Sequence, residues 1–179
     1  MEKAFISALN EGWENLLRNI KEEKIDVLYF GQKIELDLNS KKFIPEIEDR
    51  DKIIILHYLL GKMNSDIIKD DEFITFKELP EGTFYYPSIY SRIYLPLIEK
   101  YKKNPDIFIE KGISKGGEKT SNFSIRFKVF PDVHYIIELI PEDDEFPADI
   151  RVFFNKKSSE IFEIEDLAII GEIIVSKME

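Results

Sequence analysis

The chain opens on a helical stripe. Phe5, Leu9, Trp13, Leu16, Leu17 and Ile20 recur at helical spacing, with glutamates and lysines filling the other face. That period predicts an amphipathic helix over residues 3 to 20. The period then changes to two. In residues 25 to 38, Ile34, Leu36 and Leu38 alternate with charged residues after Gly31, which predicts a β-hairpin. Residues 40 to 51 are polar, carry Pro45, and read as a loop. A second helix is expected from Asp51, its cap, to Gly61, its stop. It is apolar nearly all round, so it belongs at the centre. Residues 73 to 79 alternate as a strand, and Glu81-Gly82 reads as a turn. A helix is predicted from Ser88 to about residue 104, kinked or split at Pro96. Asn104-Pro105 opens a short helix that ends at Gly112.

The last third is patterned more plainly. Phe123, Ile125, Phe127 and Val129 alternate with Ser124, Arg126 and Lys128, so one face of that strand is buried and one is wet. Residues 133 to 140 are apolar enough for burial on both faces. Residues 150 to 154 form a third strand. A closing helix over 164 to 176 carries Leu167, Ile170, Gly171 and Ile174 on one face. Strands come in runs, without regular βαβ alternation. The expected class is α+β, a mostly antiparallel sheet with helices packed on it, in a single globular domain of residues 1 to 179. Residues 123 to 154 should form an antiparallel meander beneath helices 3 to 20 and 164 to 176. Trp13, Phe127, Ile137 and Phe153 are the expected core.

Composition narrows the chemistry. The 179 residues are 44% hydrophobic and 34% charged, so a folded chain is expected. No apolar run approaches the roughly 20 residues that span a bilayer. The N-terminus lacks the basic-then-apolar order of a signal peptide, so the expected location is cytoplasmic, away from membranes. There is no cysteine, which excludes thiolate zinc sites, cysteine-ligated clusters and cysteine nucleophiles within this chain. Two histidines exclude a multi-histidine metal site. A metal centre would have to be built mainly of carboxylates, which suits magnesium, calcium or manganese. A net charge of −10 disfavours generic nucleic-acid binding.

The densest candidate is PEDDEFPADIRVFF, residues 141 to 154. Asp143, Asp144, Glu145 and Asp149 can converge on a hard cation, or they can keep a strand-to-strand loop soluble. The second reading makes the loop a clasp. Phe146 would be buried, Pro147 would fix entry into the next strand, and Asp144 or Glu145 would accept from backbone amides or pair with a basic residue. Glu142 and Asp143 would stay wet. Gly116 and Gly117 are a second candidate, since paired glycines let backbone approach a ligand, although the phosphate-loop pattern is absent. His57 and His134 read as hydrogen-bonded core residues. Phe84, Tyr85, Tyr86, Tyr90 and Tyr94 line a flat-ligand pocket or simply belong to core and rim. No Gly-x-Ser-x-Gly elbow exists.

Asp144-Glu145-Phe146-Pro147 after an apolar strand, Val152-Phe153-Phe154, and Glu165-Asp166 opening the last helix resemble a prokaryotic family known only as a domain of unknown function. Tyr29-Phe30-Gly31, the run from Ile53 to Leu60, Phe76-Lys77-Glu78-Leu79 and Gly116-Gly117 fall in the family's order, so the resemblance spans nearly the whole chain. Asn155 stands where the family often has Asp. Members are sometimes fused to cysteine-rich iron–sulfur segments, which this chain lacks, and some are linked with corrinoid or one-carbon metabolism. The first reading is a binding or accessory domain without catalysis of its own, with a small molecule or a protein as partner; the resemblance implies a place for it in anaerobic redox or cofactor metabolism. The cofactor and ligand are not specified. The alternative is a divalent-metal enzyme using the acidic loop for hydrolytic or phosphoryl chemistry. A third reading, a protein-interaction partner, requires an exposed apolar patch and no pocket.

Overall fold

A computed structural model describes residues 2–64 and 72–179. It is α+β, with two antiparallel sheets and helices packed on them. The first sheet has the order β1-β2-β3, from β1 (Lys24–Tyr29), β2 (Gln32–Asp37) and β3 (Lys42–Ile44). Phe30 and Gly31 both have positive φ, 46° and 75°, so the β1–β2 connection is a tight two-residue turn of the hairpin kind. The amide of Phe30 donates to the Val129 carbonyl at 2.8 Å, which ties this hairpin to the second sheet.

Helix α1 (Glu2–Asn19) buries Trp13 and Leu16, while Phe5 and Leu17 stay exposed. The Trp13 ring meets Phe43 of β3 at 5.2 Å. Helix α2 (Asp49–Asn64) is central as expected, with Ile54, Ile55 and Leu56 fully buried. It does not stop at Gly61. A Cβ at Gly61 would stand 2.4 Å from the Ile161 carbonyl oxygen, so this glycine permits close approach of another segment.

The stretch 73 to 79 is only briefly extended. Strand β4 (Phe73–Ile74) gives way to a 3₁₀ turn, Phe76–Glu78. Glu78 turns back to accept from the Thr75 amide at 2.7 Å and the Thr75 hydroxyl at 2.9 Å, a capping box that overrides the strand alternation. Gly82, expected in a turn, begins α3 (Gly82–Ile89). The helix runs on through a π segment, Tyr90–Tyr94, into α4 (Leu95–Tyr101), so Ser88 lies inside it and not at its cap. Pro96 has no amide hydrogen to donate, and the widened turn directly before it absorbs that loss. Helix α5 (Pro105–Ser114) passes through Gly112. It is followed by β5 (Glu118–Ser121), a fully exposed edge strand with no apolar alternation to announce it.

The second sheet has the order β4-β8-β7-β6-β5. Strands β6 (Ser124–Phe130), β7 (Val133–Ile140) and β8 (Asp149–Asn155) form the expected antiparallel meander. Phe127, Tyr135 and Ile137 are fully buried. β7 alternates buried with half-buried positions, so only one of its faces is fully covered. In β8 the core phenylalanine is Phe154, whose ring meets Tyr135 and Phe76 at 5.4 and 4.9 Å. Phe153 points to the other face and is half-buried, which corrects the expected core by one residue. Two helices close the chain, α6 (Ser158–Ile161) and α7 (Ile164–Met178). α7 packs against α2 and the π segment, while α1 lies on α2. Among the described residues no helix is long and apolar enough to cross a membrane.

Candidate functional site

His57 and Asp166 meet between α2 and α7. Asp166 lies in the first turn of α7, where the unpaired amide groups of a helix start favour a carboxylate. Nδ1 of His57 is 2.9 Å from one Asp166 oxygen and 3.0 Å from the other. Asp166 is 8% exposed, and His57 is half-buried. The bond to Asp166 raises the His57 pKa above its ordinary value, against the opposing effect of burial, and the Glu11 charge on α1 adds to the rise. No hydrogen bond to Nε2 is formed by a described residue. Among the described residues the ring is therefore held at one nitrogen only, by a carboxylate.

This pair lines a cleft of about 310 Å³, walled also by Gly61, Ser159, Glu160 and Glu163. Gly61 admits the α6 segment that forms one wall. Asn155 sets where α6 begins. Its side-chain oxygen accepts from the Ser158 hydroxyl at 2.9 Å and the His134 amide at 2.8 Å, while its amide donates to the Asp132 carbonyl at 2.8 Å. The Ser159 hydroxyl donates to the Lys156 carbonyl at 2.8 Å and not to His57, so no serine triad is assembled. Glu160 pairs with Lys157 at 3.0 Å. A second cleft of about 240 Å³ shares Ser159, Phe162 and Glu163 with the first, and adds Leu79, Pro80, Glu81, Ile164 and Leu167.

The residues singled out in the sequence lie elsewhere. In the acidic loop the clasp exists with its roles exchanged. Asp143 is exposed, as expected, yet it accepts from the amides of Glu145 at 2.9 Å and Phe146 at 2.7 Å, the role expected of Asp144 or Glu145, and these bonds lower its pKa. The Asp143 amide donates back to the Phe146 carbonyl at 3.0 Å. That closed turn satisfies the local amides and faces Phe146 outward, 67% exposed, where burial was expected. The side chains of Asp144 and Glu145 make no hydrogen bond or ion pair among the described residues. Asp149 accepts from the amide of Ile150 at 2.8 Å; burial raises the pKa of Tyr86 and Tyr94, and the Asp149 charge adds to it at Tyr86 and, after Tyr86 itself, at Tyr94. Among the described residues no three His, Asp or Glu side chains are grouped to hold a metal ion.

Gly116 and Gly117 end α5. The Gly117 amide donates to the Gly112 carbonyl at 2.9 Å and the Gly116 amide to Ile113 at 3.0 Å, the double bond of a left-handed helix stop, with φ 87° at Gly116. His134 is bonded to the Pro131 carbonyl at 3.2 Å, and burial lowers its pKa. Tyr86, Tyr90 and Tyr94 pack on one another, with ring centres 5.5 to 5.9 Å apart. None of the sequence candidates Asp143, Asp144, Glu145, Asp149, Gly116 and Gly117 lines the His57 cleft. His57 reads from the sequence as a core residue, and no local pattern marks Asp166 and Glu163 as its surroundings. The available signal was a lone ionisable ring inside an apolar helix, which needs a polar partner from another element.

No curated protein and no solved structure matches the chain. A family model described as Domain of unknown function (DUF3786) matches residues 9–177, and the chain belongs to that family.

Proposed function

We propose that this chain is a cytoplasmic binding or accessory domain, folded as one unit, whose ligand occupies the cleft at His57. The observation that carries this reading is the carboxylate-held imidazole at the wall of a concave site, with a second, more apolar cleft beside it. A place in anaerobic redox or cofactor metabolism belongs to the same proposal and rests on the sequence resemblance. The metal-enzyme alternative requires the loop carboxylates and a base in one pocket, and nothing in the geometry favours it over binding.

Nuclear magnetic resonance screening of a fragment library against labelled protein tests the reading. Binders are expected to shift the His57 ring together with the amides of Gly61 and Glu163, and to raise the melting temperature. Binders that leave these signals unchanged, and that bind His57→Gln equally well, overturn it.

A further inference from the structure

We infer that the chain has a second binding site under the turn of the first hairpin, for a small organic anion, a carboxylate with an apolar or aromatic body. The site is separate from the cleft at His57 and does not depend on it. A cavity of about 300 Å³ lies where the β1–β2 turn, the first turn of α2 and the last turn of α7 meet. That size is at the small end of ligand sites. Its inner wall is apolar, with Tyr29, Ile34 and Ile173 nearly fully buried. Arg50, Lys177, Gln32 and Ser176 supply donors around it.

These donors lack acceptors. Among the described residues the side chains of Gln32 and Ser176 make no hydrogen bond. Lys177 makes no ion pair there, and its ammonium lies over the Phe30 ring, 4.6 Å from the centre. Nε of Arg50 is closed to solvent and has no hydrogen-bond partner. The Glu48 carboxylate is 3.2 Å from that nitrogen but out of line with its N–H, and the Glu48 side chain is 72% exposed. An ion pair so placed is weak. The other carboxylate of the cavity, Asp51, accepts from the Tyr29 hydroxyl at 2.7 Å. Burial raises the Tyr29 pKa well above its ordinary value and the Asp51 charge adds to the rise, so Asp51 keeps that donor. The positive start of α2 and the negative end of α7 oppose each other, which leaves the choice of ligand to the side chains. Buried donors are normally paired, so Arg50 calls for an acceptor that the chain does not provide. A carboxylate matches the guanidinium fork with two parallel bonds, and Lys177 adds a second charge.

The turn gives an independent sign. Phe30 has φ 46°, a left-handed conformation that bulky residues rarely adopt and that hairpin turns usually fill with Asn, Asp or Gly. The turn itself does not call for phenylalanine. The residue sets its ring 4.8 Å from Tyr29 and beneath Lys177, at the cavity wall. Backbone strain of this kind concentrates at ligand clamps. A carboxylate between Arg50 and Lys177, with its body against Ile34, Ile173 and the Phe30 ring, uses the free donors and the apolar wall together.

Titration with phenylacetate, phenethyl alcohol, phenethylamine and inorganic phosphate tests the inference, read by calorimetry and by the nuclear magnetic resonance shifts of the Arg50 Nε–H and the Phe30 amide. Phenylacetate should shift both and bind at least about tenfold tighter than the alcohol, the amine or phosphate. The net charge of −10 works against an anion, so general electrostatics does not produce that order. Lys177→Met keeps the hydrocarbon over Phe30 and removes the charge, while Arg50→Lys keeps the charge and removes the fork. Each should weaken phenylacetate about tenfold and leave phenethyl alcohol unchanged. If one variant melts below the parent, the other decides. His57→Gln should bind phenylacetate as the parent does. Alcohol, amine or phosphate binding as tightly as phenylacetate overturns the inference. So does phenylacetate binding that neither variant weakens, or that shifts His57 in place of Phe30. Absence of phenylacetate binding at about 10 mM, an affinity weaker than the weakest ordinary ligand, overturns it as well.

Discussion

The hydroxyl of Tyr135, in the middle of β7, donates to the backbone carbonyl of Leu167 in α7 at 2.9 Å. The ring is fully buried, and burial raises its pKa well above the ordinary value, so the proton needed for this bond is always present at neutral pH. The bond anchors α7 to the sheet one residue after Asp166. Tyr135→Phe should cost about 1–2 kcal/mol in urea melts, because it leaves a buried acceptor short of a donor. It should also disturb the His57 resonance. An unperturbed His57 signal would show that Asp166 is held without this anchor.

His57 links stability to pH. Folding raises its pKa above the ordinary 6.5, so the stability it lends is complete below that value and is lost as pH rises through the higher folded value. The charged groups facing it are Asp166, Glu11, Glu160 and Glu163. Urea melts between about pH 6 and pH 9 should show the parent losing its advantage over His57→Gln as pH rises. A constant difference across the range contradicts the pairing.

Phe154 and Phe153 are neighbours with unequal weight. Phe154→Ala removes a fully buried ring between Tyr135 and Phe76 and should cost about 3–5 kcal/mol. Phe153→Ala should cost about 1 kcal/mol, the ordinary value for a single substitution. Equal losses in denaturant melts would mean that both faces of β8 are core.

Gly61→Ala should destabilise the protein by about 1–3 kcal/mol, although alanine is the better helix former. The added carbon would lie 2.4 Å from the Ile161 carbonyl oxygen, so α6 must move outward and widen the His57 cleft. A stabilising effect in urea melts would show that α6 gives way freely.

The acidic loop separates its two aromatic and acidic roles. Phe146→Ser should change stability by less than about 0.5 kcal/mol, since the ring is exposed. Asp143→Ala should speed amide hydrogen exchange at Glu145 and Phe146, which lose their acceptor. In the parent the protection of these two amides, measured against their intrinsic exchange rates, should fall as pH falls through the lowered Asp143 pKa, because a protonated carboxyl accepts these bonds less strongly.

Periodicity alone determined the α+β class, the first hairpin, the central helix at Ile53 to Leu60, and the antiparallel meander of residues 123 to 154. Those features follow from the local pattern of apolar and polar positions within each segment, alternating in the strands and a continuous apolar run in the central helix. The absence of cysteine likewise excluded thiolate chemistry within this chain before any fold was known. Tertiary structure decided what needs a partner distant in sequence. Which of Phe153 and Phe154 is core depends on register against β7, and an apolar pair has no alternation to read. Gly61 and Gly112 look like helix stops but are contact points, because the segments they admit are about 100 and 13 residues away. The π segment before Pro96 and the polar edge strand β5 carry no periodic signal. The candidate site was hidden for the same reason. His57 and Asp166 lie 109 positions apart, and only the packing of α7 on α2 turns a lone ring and a helix-start carboxylate into a pair.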